Sequence, residues 1–83
     1  MRLPRDLSGA ELSKALRRFG YEISRQTGSH LRLTTQVGGE HQVTIPAARA
    51  LRVGTLAAIV AEVARHLEVS SEEFAQRLFD ARH

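Results

Sequence analysis

The stretch of this chain best equipped for chemistry is Arg25-Gln26-Thr27-Gly28-Ser29-His30-Leu31-Arg32, in which one histidine lies between two arginines. Imidazole ionises near pH ~6.5 in model peptides, so it can take and give protons near neutrality. RNA carries its own nucleophile, the 2′-hydroxyl, and a base with nearby cations can cleave it without a metal ion. On residue types alone, an exposed histidine that only forms hydrogen bonds explains His30 equally well.

Side-chain alternation predicts a hairpin around this stretch. Residues two apart on a strand share a face, and the buried faces of paired strands coincide. Tyr21 and Ile23 mark the apolar face of a first strand, and Leu31 and Leu33 mark that of a second. A loop of odd length sets Ile23 opposite Leu33, so the pattern predicts a three-residue loop over residues 27–29.

The same loop decides which polar side chains share a surface. Gly28 is expected to supply the positive φ that such loops need. The predicted register places Gln26 beside His30 and Ser24 beside Arg32, all on the face away from the core. An imidazole, an amide and a guanidinium would then form one exposed patch.

Length and composition restrict the class of protein. The 83 residues, of which 42% are hydrophobic, predict a single small domain over residues 1–83. The sequence has no run long enough to span a bilayer, no signal-peptide pattern and no cysteine. We therefore expect a cytoplasmic protein that makes no membrane contact and uses neither disulfide nor thiolate chemistry.

The formal charge of +3 is unevenly distributed along the chain. Residues 1–54 carry nine Lys/Arg against four Asp/Glu, whereas residues 55–83 carry three against five. A basic half that contains His30 favours an anionic partner, of which a phosphodiester backbone is the commonest. A surface that is basic only for solubility is the alternative interpretation.

Local signals predict three helices. Ser8 and Glu11 form a capping box for the first helix, and Gly20 is placed to end it in a left-handed conformation. Thr55 is expected to cap the second helix, and Ser70-Ser71-Glu72-Glu73 is expected to begin the third with another capping box.

Residues 21–26, 30–35 and 41–45 alternate as three strands between the first and second helices. The predicted fold class is α+β, in the order αβββα with an extra C-terminal helix and a three-stranded antiparallel sheet. The helices should cover one face of the sheet and leave the other open. The residues expected in the core are Leu12, Leu16, Phe19, Ile23, Leu31, Leu33, Val43, Ile45, Leu56, Ile59, Val60 and Val63, with Phe74 and Leu78 from the last helix.

The four histidines do not indicate a metal site. His30, His41, His66 and His83 form no closely spaced pair, and there is no cysteine to complete a zinc site. We therefore predict neither a metal ion nor another cofactor. His41 is expected to be structural and His66 to lie on a helix surface.

Several short motifs in this order are similar to those of one known family. They are Gly20-Tyr21, the stretch from Arg25 to His30, Val43-Thr44-Ile45-Pro46, Gly54-Thr55-Leu56 and Ser71-Glu72-Glu73-Phe74. With the capped first helix, they resemble the HicA toxins of bacterial HicA–HicB toxin–antitoxin pairs over nearly the whole chain. The resemblance implies a fold like the double-stranded-RNA-binding domain, a metal-independent endoribonuclease acting on mRNA, and inhibition by a HicB-type antitoxin that covers the active site. The catalytic histidine of the family corresponds to His30.

On this hypothesis His30 is the general base or acid, and Arg25 and Arg32 are the cations that contact the RNA phosphate. Gly28-Ser29 shapes the turn, and this turn and Gln26 are expected to add further contacts to RNA. Two other interpretations remain. A non-catalytic RNA-binding module would use the basic surface without needing the histidine, and a protein-interaction domain would bind its partner on the open sheet face.

Overall fold

Helices and strands follow one another in the predicted α+β order. The computed structural model describes residues 2–80 of the chain. The elements are α1 (Gly9–Arg17), β1 (Glu22–Gln26), β2 (His30–Thr35), β3 (His41–Pro46), α2 (Val53–Leu67) and α3 (Ser71–Phe79). The predicted αβββα order with an additional C-terminal helix is confirmed.

The sheet is antiparallel and has the order β1-β2-β3, so β2 is the central strand. Along β2 the side chains of Leu31 and Leu33 are buried while that of Arg32 is exposed, and β3 repeats this alternation with Val43 and Ile45 buried. The buried side chains of the sheet join those of the helices in one apolar core. The outer face of the sheet is open.

Ten of the twelve residues predicted for the core from the first two helices and the strands are buried, as are Phe74 and Leu78. Ile23 was predicted wrongly, because its side chain is 45% exposed. It does lie opposite Leu33, but β1 is an edge strand and all five of its residues are exposed. Phe19 is only partly buried and packs edge-on against Phe74 with ring centroids 5.0 Å apart.

The capping box predicted for α1 is complete, whereas the one predicted for α3 forms only in part. Ser8 Oγ accepts from Glu11 N–H at 3.0 Å, and the Glu11 carboxylate accepts from Ser8 N–H at 2.9 Å. Gly20 follows the helix with a φ of 95°, as predicted. At α3, Ser70 Oγ accepts from Glu73 N–H at 3.0 Å, which is one half of a capping box.

The predicted start of α2 was wrong. The helix begins at Val53, its N-cap is Arg52 without a side-chain hydrogen bond, and Thr55 lies inside the first turn. The reason is tertiary, since the buried Leu51 donates its N–H to the carbonyl oxygen of Leu7 at 2.7 Å and fixes the entry to the helix. Among residues 2–80, no helix combines the length and apolar character needed to cross a membrane.

Candidate functional site

The turn between β1 and β2 holds the backbone of His30 at the head of β2. Thr27 N–H donates to the His30 carbonyl oxygen at 3.0 Å, and His30 N–H donates to Thr27 Oγ1 at 3.2 Å. The Ser29 carbonyl oxygen accepts from Ala47 N–H at 2.8 Å, which ties the turn to the end of β3. The His30 side chain is exposed, but it projects from a well-fixed backbone.

The turn spans the predicted residues but lacks the predicted glycine conformation. Residues 27–29 lie between β1 and β2, as predicted, although Gln26 pairs with Leu31 and not with His30. Gly28 does not have a positive φ. Space around it is open, because a Cβ added at Gly28 would meet no heavy atom within 4 Å. The prediction of a positive φ at Gly28 was wrong, since the described glycines with a positive φ are Gly20, Gly38 and Gly39.

A β-bulge at Ser24 changes the register of β1 against β2 and so allows Ile23 to lie opposite Leu33, the pairing from which the loop length was predicted. Ile23 pairs with Leu33 as predicted, but the next pair is Arg25 with Arg32, which leaves Ser24 as the extra residue. The predicted pairing of Ser24 with Arg32 was therefore wrong. Ser24 Oγ still donates to the carbonyl oxygen of Arg32, at 3.2 Å.

The bulge also determines which residues of β1 share a face with His30. Arg25 lies opposite the exposed Arg32, and both line the outer face of the sheet. Gln26 lies opposite the buried Leu31, so its register position is on the inner face. The prediction that Gln26 lies beside His30 on the outer face was therefore wrong.

A shallow hollow of about 430 Å³ opens on the outer face of the sheet, and Arg25, Thr27, His30, Arg32 and Thr44 line it. We call it the His30 hollow. Three of these side chains had been singled out from the sequence, and the structure brings them together. Gly28 and Ser29 form the adjoining turn, and Gln26 is not part of the lining.

Thr27 and Thr44 were not singled out from the sequence. Thr44 carried a usable signal, because it stands between the inward-facing Val43 and Ile45 and must therefore point outward. It pairs with Arg32 across the two strands. Thr27 gave a weaker signal, since a threonine before a turn has many possible roles.

The His30 hollow contains two guanidinium groups and no carboxylate. Within the described part of the chain, none of the ion pairs involves Arg25, His30 or Arg32. The His30 ring lies beside Ser29, with Oγ and Nδ1 3.1 Å apart. A cationic hollow without an internal counter-charge favours an anionic ligand such as a phosphodiester.

A second polar group of side chains lies around His41, at the other end of the sheet. Nδ1 of His41 is 2.8 Å from the Tyr21 hydroxyl, and Nε2 is 3.3 Å from a carboxylate oxygen of Glu62. His66 stacks on His41 with ring centroids 4.4 Å apart and donates from Nε2 to the Val37 carbonyl oxygen at 2.8 Å. We call Tyr21, His41, Glu62 and His66 the His41 cluster.

The His41 cluster is structural in character, as expected for His41. Burial, and secondarily the charge of Glu62, raises the pKa of Tyr21 to about 12, so its hydroxyl stays protonated and can donate to His41. Across residues 2–80 no three His, Asp or Glu side chains are grouped to hold a metal ion. His83 lies outside the described residues.

The fold is that of a small α+β protein with a cationic hollow on its open sheet face. The family described as the HicA toxin of bacterial toxin–antitoxin systems matches residues 9–68, which run from α1 through α2 and include the whole His30 hollow. The chain therefore belongs to the HicA toxin family, as the resemblance indicated. Neither a curated protein nor a solved structure gives a significant match.

Proposed function

We propose that this toxin is a metal-independent endoribonuclease that cleaves mRNA, with His30 as its general base or acid. The observation that carries the proposal is the His30 hollow, in which one exposed imidazole lies among two guanidinium groups and two threonines. Family membership makes the chain a toxin of a toxin–antitoxin system, and RNA cleavage is the activity that this hollow supports best.

The reaction needs proton transfer and positive charge, both of which the His30 hollow can supply. His30 takes the proton of a ribose 2′-hydroxyl, and the 2′-oxygen then attacks the adjacent phosphorus. Arg25 and Arg32 bind the phosphate oxygens and stabilise the negative charge that develops on them. The bond from phosphorus to the 5′-oxygen breaks, and that oxygen takes a proton from the imidazolium or from water.

The turn and the neighbouring strand complete the proposed RNA contact. The open space over Gly28 leaves room for an RNA backbone to approach the turn closely. Thr27 and Thr44 offer hydroxyl groups beside the two arginines. Gln26, which the sequence suggested as a further RNA contact, is left out of this set because its register position is on the other face.

We further propose that a HicB-type antitoxin inhibits the toxin by covering the His30 hollow. Since Arg25 and Arg32 have no carboxylate partner in the described residues, the contact region of the antitoxin should be acidic or should shield His30. Association should slow as the salt concentration rises. A fully inhibited complex in which the antitoxin contacts only α3 and leaves His30 accessible would contradict occlusion.

The test compares wild type, His30→Ala and Gln42→Ala on single-stranded RNA in the presence of EDTA. Gln42 is exposed on β3 outside the hollow, so it is a matched control on the same sheet. Wild type and Gln42→Ala should cleave, whereas His30→Ala should bind RNA without cleaving it. Expressed alone, wild type should arrest growth, and an adjacent reading frame should encode a small protein that restores it.

Failure of this test would favour the RNA-binding interpretation. The basic hollow by itself is compatible with a module that binds RNA and leaves it intact. Wild type that binds RNA tightly, does not cleave it, and is unaffected by His30→Ala would point to that function.

A further inference from the structure

We propose that Ser29 is a positioning residue for His30. The Ser29 hydroxyl holds Nδ1 of the His30 ring, so that Nε2 is the nitrogen that reacts with RNA. The inference rests on the proposed function, because it assigns a role within the same reaction. Its basis is the 3.1 Å separation between Ser29 Oγ and His30 Nδ1, the ring's one hydrogen bond within residues 2–80.

Ser29 can orient the ring because its own backbone is held on both sides. Its carbonyl oxygen accepts from Ala47 N–H at 2.8 Å. The residue after it, His30, is tied to Thr27 by hydrogen bonds of 3.0 and 3.2 Å that involve both backbone polar groups of His30. The hydroxyl of Ser29 therefore projects from a fixed point and retains mainly rotation about its own side-chain bond.

The anchor of Ser29 is itself fastened to α1. Gly9 N–H donates to the Ala48 carbonyl oxygen at 2.9 Å, one residue after the Ala47 that holds the turn. Gly9 approaches β3 so closely that an added Cβ would collide with the carbonyl oxygen of Pro46. The turn is thus linked to α1 through the residues at the end of β3.

The chemistry of imidazole explains what this hydrogen bond achieves. In a neutral ring only one nitrogen carries a proton, and the hydrogen bond made by one nitrogen sets the state of the other. For Nε2 to act as a base, the proton must be on Nδ1, where it is donated to Ser29 Oγ. The same donated bond persists when Nε2 gains a proton, so Ser29 supports His30 as base and then as acid.

The experiment compares wild type, Ser29→Ala and Ser29→Thr in single-turnover cleavage of single-stranded RNA, with RNA affinity measured separately. Ser29→Ala should lower the cleavage rate about 3- to 10-fold, the value of one hydrogen bond, and leave RNA affinity unchanged. Ser29→Thr keeps a hydroxyl at an exposed position and should retain most of the wild-type rate. Nitrogen NMR of the His30 ring should show a smaller fraction of the Nδ1–H form in Ser29→Ala than in wild type.

The outcomes separate this inference from the proposed function. If His30→Ala is inactive while Ser29→Ala cleaves at the wild-type rate, the positioning role is wrong and the nuclease assignment remains. A rate loss in Ser29→Ala without a change in the ring nitrogens, or an equal loss in Ser29→Thr, would also overturn it. If His30→Ala cleaves as fast as wild type, the proposed function fails and the positioning role fails with it.

Discussion

His30 begins β2 on the outer face of the sheet, whereas His41 begins β3 at the opposite end, paired with the buried Thr35. The His30 side chain is exposed and has one ring nitrogen near a serine hydroxyl. The His41 side chain is only 19% exposed, and both of its ring nitrogens lie near polar partners. A ring with one nitrogen open to solvent can exchange protons with a ligand, while a ring bonded at both nitrogens stabilises the fold.

The charges around the two rings differ in the same way. Two arginines and no carboxylate line the His30 hollow, whereas His41 lies against the carboxylate of Glu62. Among residues 2–80, no buried side-chain polar atom lacks a hydrogen-bond partner. Polar groups in the interior are thus satisfied within the chain, whereas Arg25 and Arg32 on the outer face form no ion pair within these residues.

The largest expected effect on stability contrasts the two faces of β2. Leu33→Ala removes a fully buried side chain from the core and should lower the free energy of unfolding by about 2 to 5 kcal/mol. The adjacent Arg32→Ala changes an exposed side chain on the outer face and should shift it by less than about 0.5 kcal/mol. Denaturant unfolding measures both, and similar losses in the two variants would remove the distinction between the faces.

The next effect belongs to the His41 cluster and appears at high pH. Tyr21 is the only tyrosine of the chain, so its ionisation can be followed directly by tyrosinate absorbance. Its folded-state pKa of about 12 exceeds the ordinary value of 10.0, so the stabilisation is complete below pH 10.0 and is lost as the pH rises towards about 12. The expected loss is on the order of 1 to 3 kcal/mol.

The matched variant for that titration is Tyr21→Phe. It removes the ionising hydroxyl and its bond to His41 while keeping the aromatic ring in the core. Its free energy of unfolding should be lower near neutrality by about 0.5 to 1.5 kcal/mol. Above pH 10.0 it should lose the part of the pH dependence that Tyr21 causes. A wild-type Tyr21 that ionises near its ordinary pKa would contradict the cluster as described.

A smaller effect is expected from each arginine of the His30 hollow. Arg25→Ala and Arg32→Ala should weaken RNA binding and reduce the slope of log affinity against log salt by about 0.7 each, as for one contact to single-stranded RNA. Arg65→Ala, at an exposed position on α2 away from the hollow, is the matched control. A slope that changes equally in all three variants would show that binding depends on overall charge instead of this hollow.

The placement of His30 could be predicted because the buried Leu31 and Leu33 fix the parity of β2 whatever the loop length. The bulge at Ser24 could not be predicted, since one inserted residue leaves no hydrophobic signal. An odd-length loop without a bulge would also place Ile23 opposite Leu33. For the same reason Arg25 was assigned to the hollow only by charge, and Gln26 was placed on the wrong face.

Features that depend on tertiary packing also could not be predicted from the sequence. The exposure of Ile23 follows from the sheet order, which leaves β1 at an edge. Glu62 and His66 have the spacing of neighbours on a helix, but only the packing of α2 on the sheet brings them to His41. The N-cap serines of α1 and α3 and the alternation along β2 and β3 were predictable because they depend on residues close in sequence.

The most direct test of the contrast between the two histidines measures cleavage rate and thermal stability in His30→Ala and His41→Ala. His30→Ala should keep the wild-type melting temperature within a few degrees and lose about 10²- to 10⁴-fold in single-turnover RNA cleavage, because proton transfer is removed without loss of packing. His41→Ala should melt at a lower temperature, yet cleave at nearly the wild-type rate per folded molecule. A folded His30→Ala that cleaves RNA at the wild-type rate would contradict the catalytic assignment of His30.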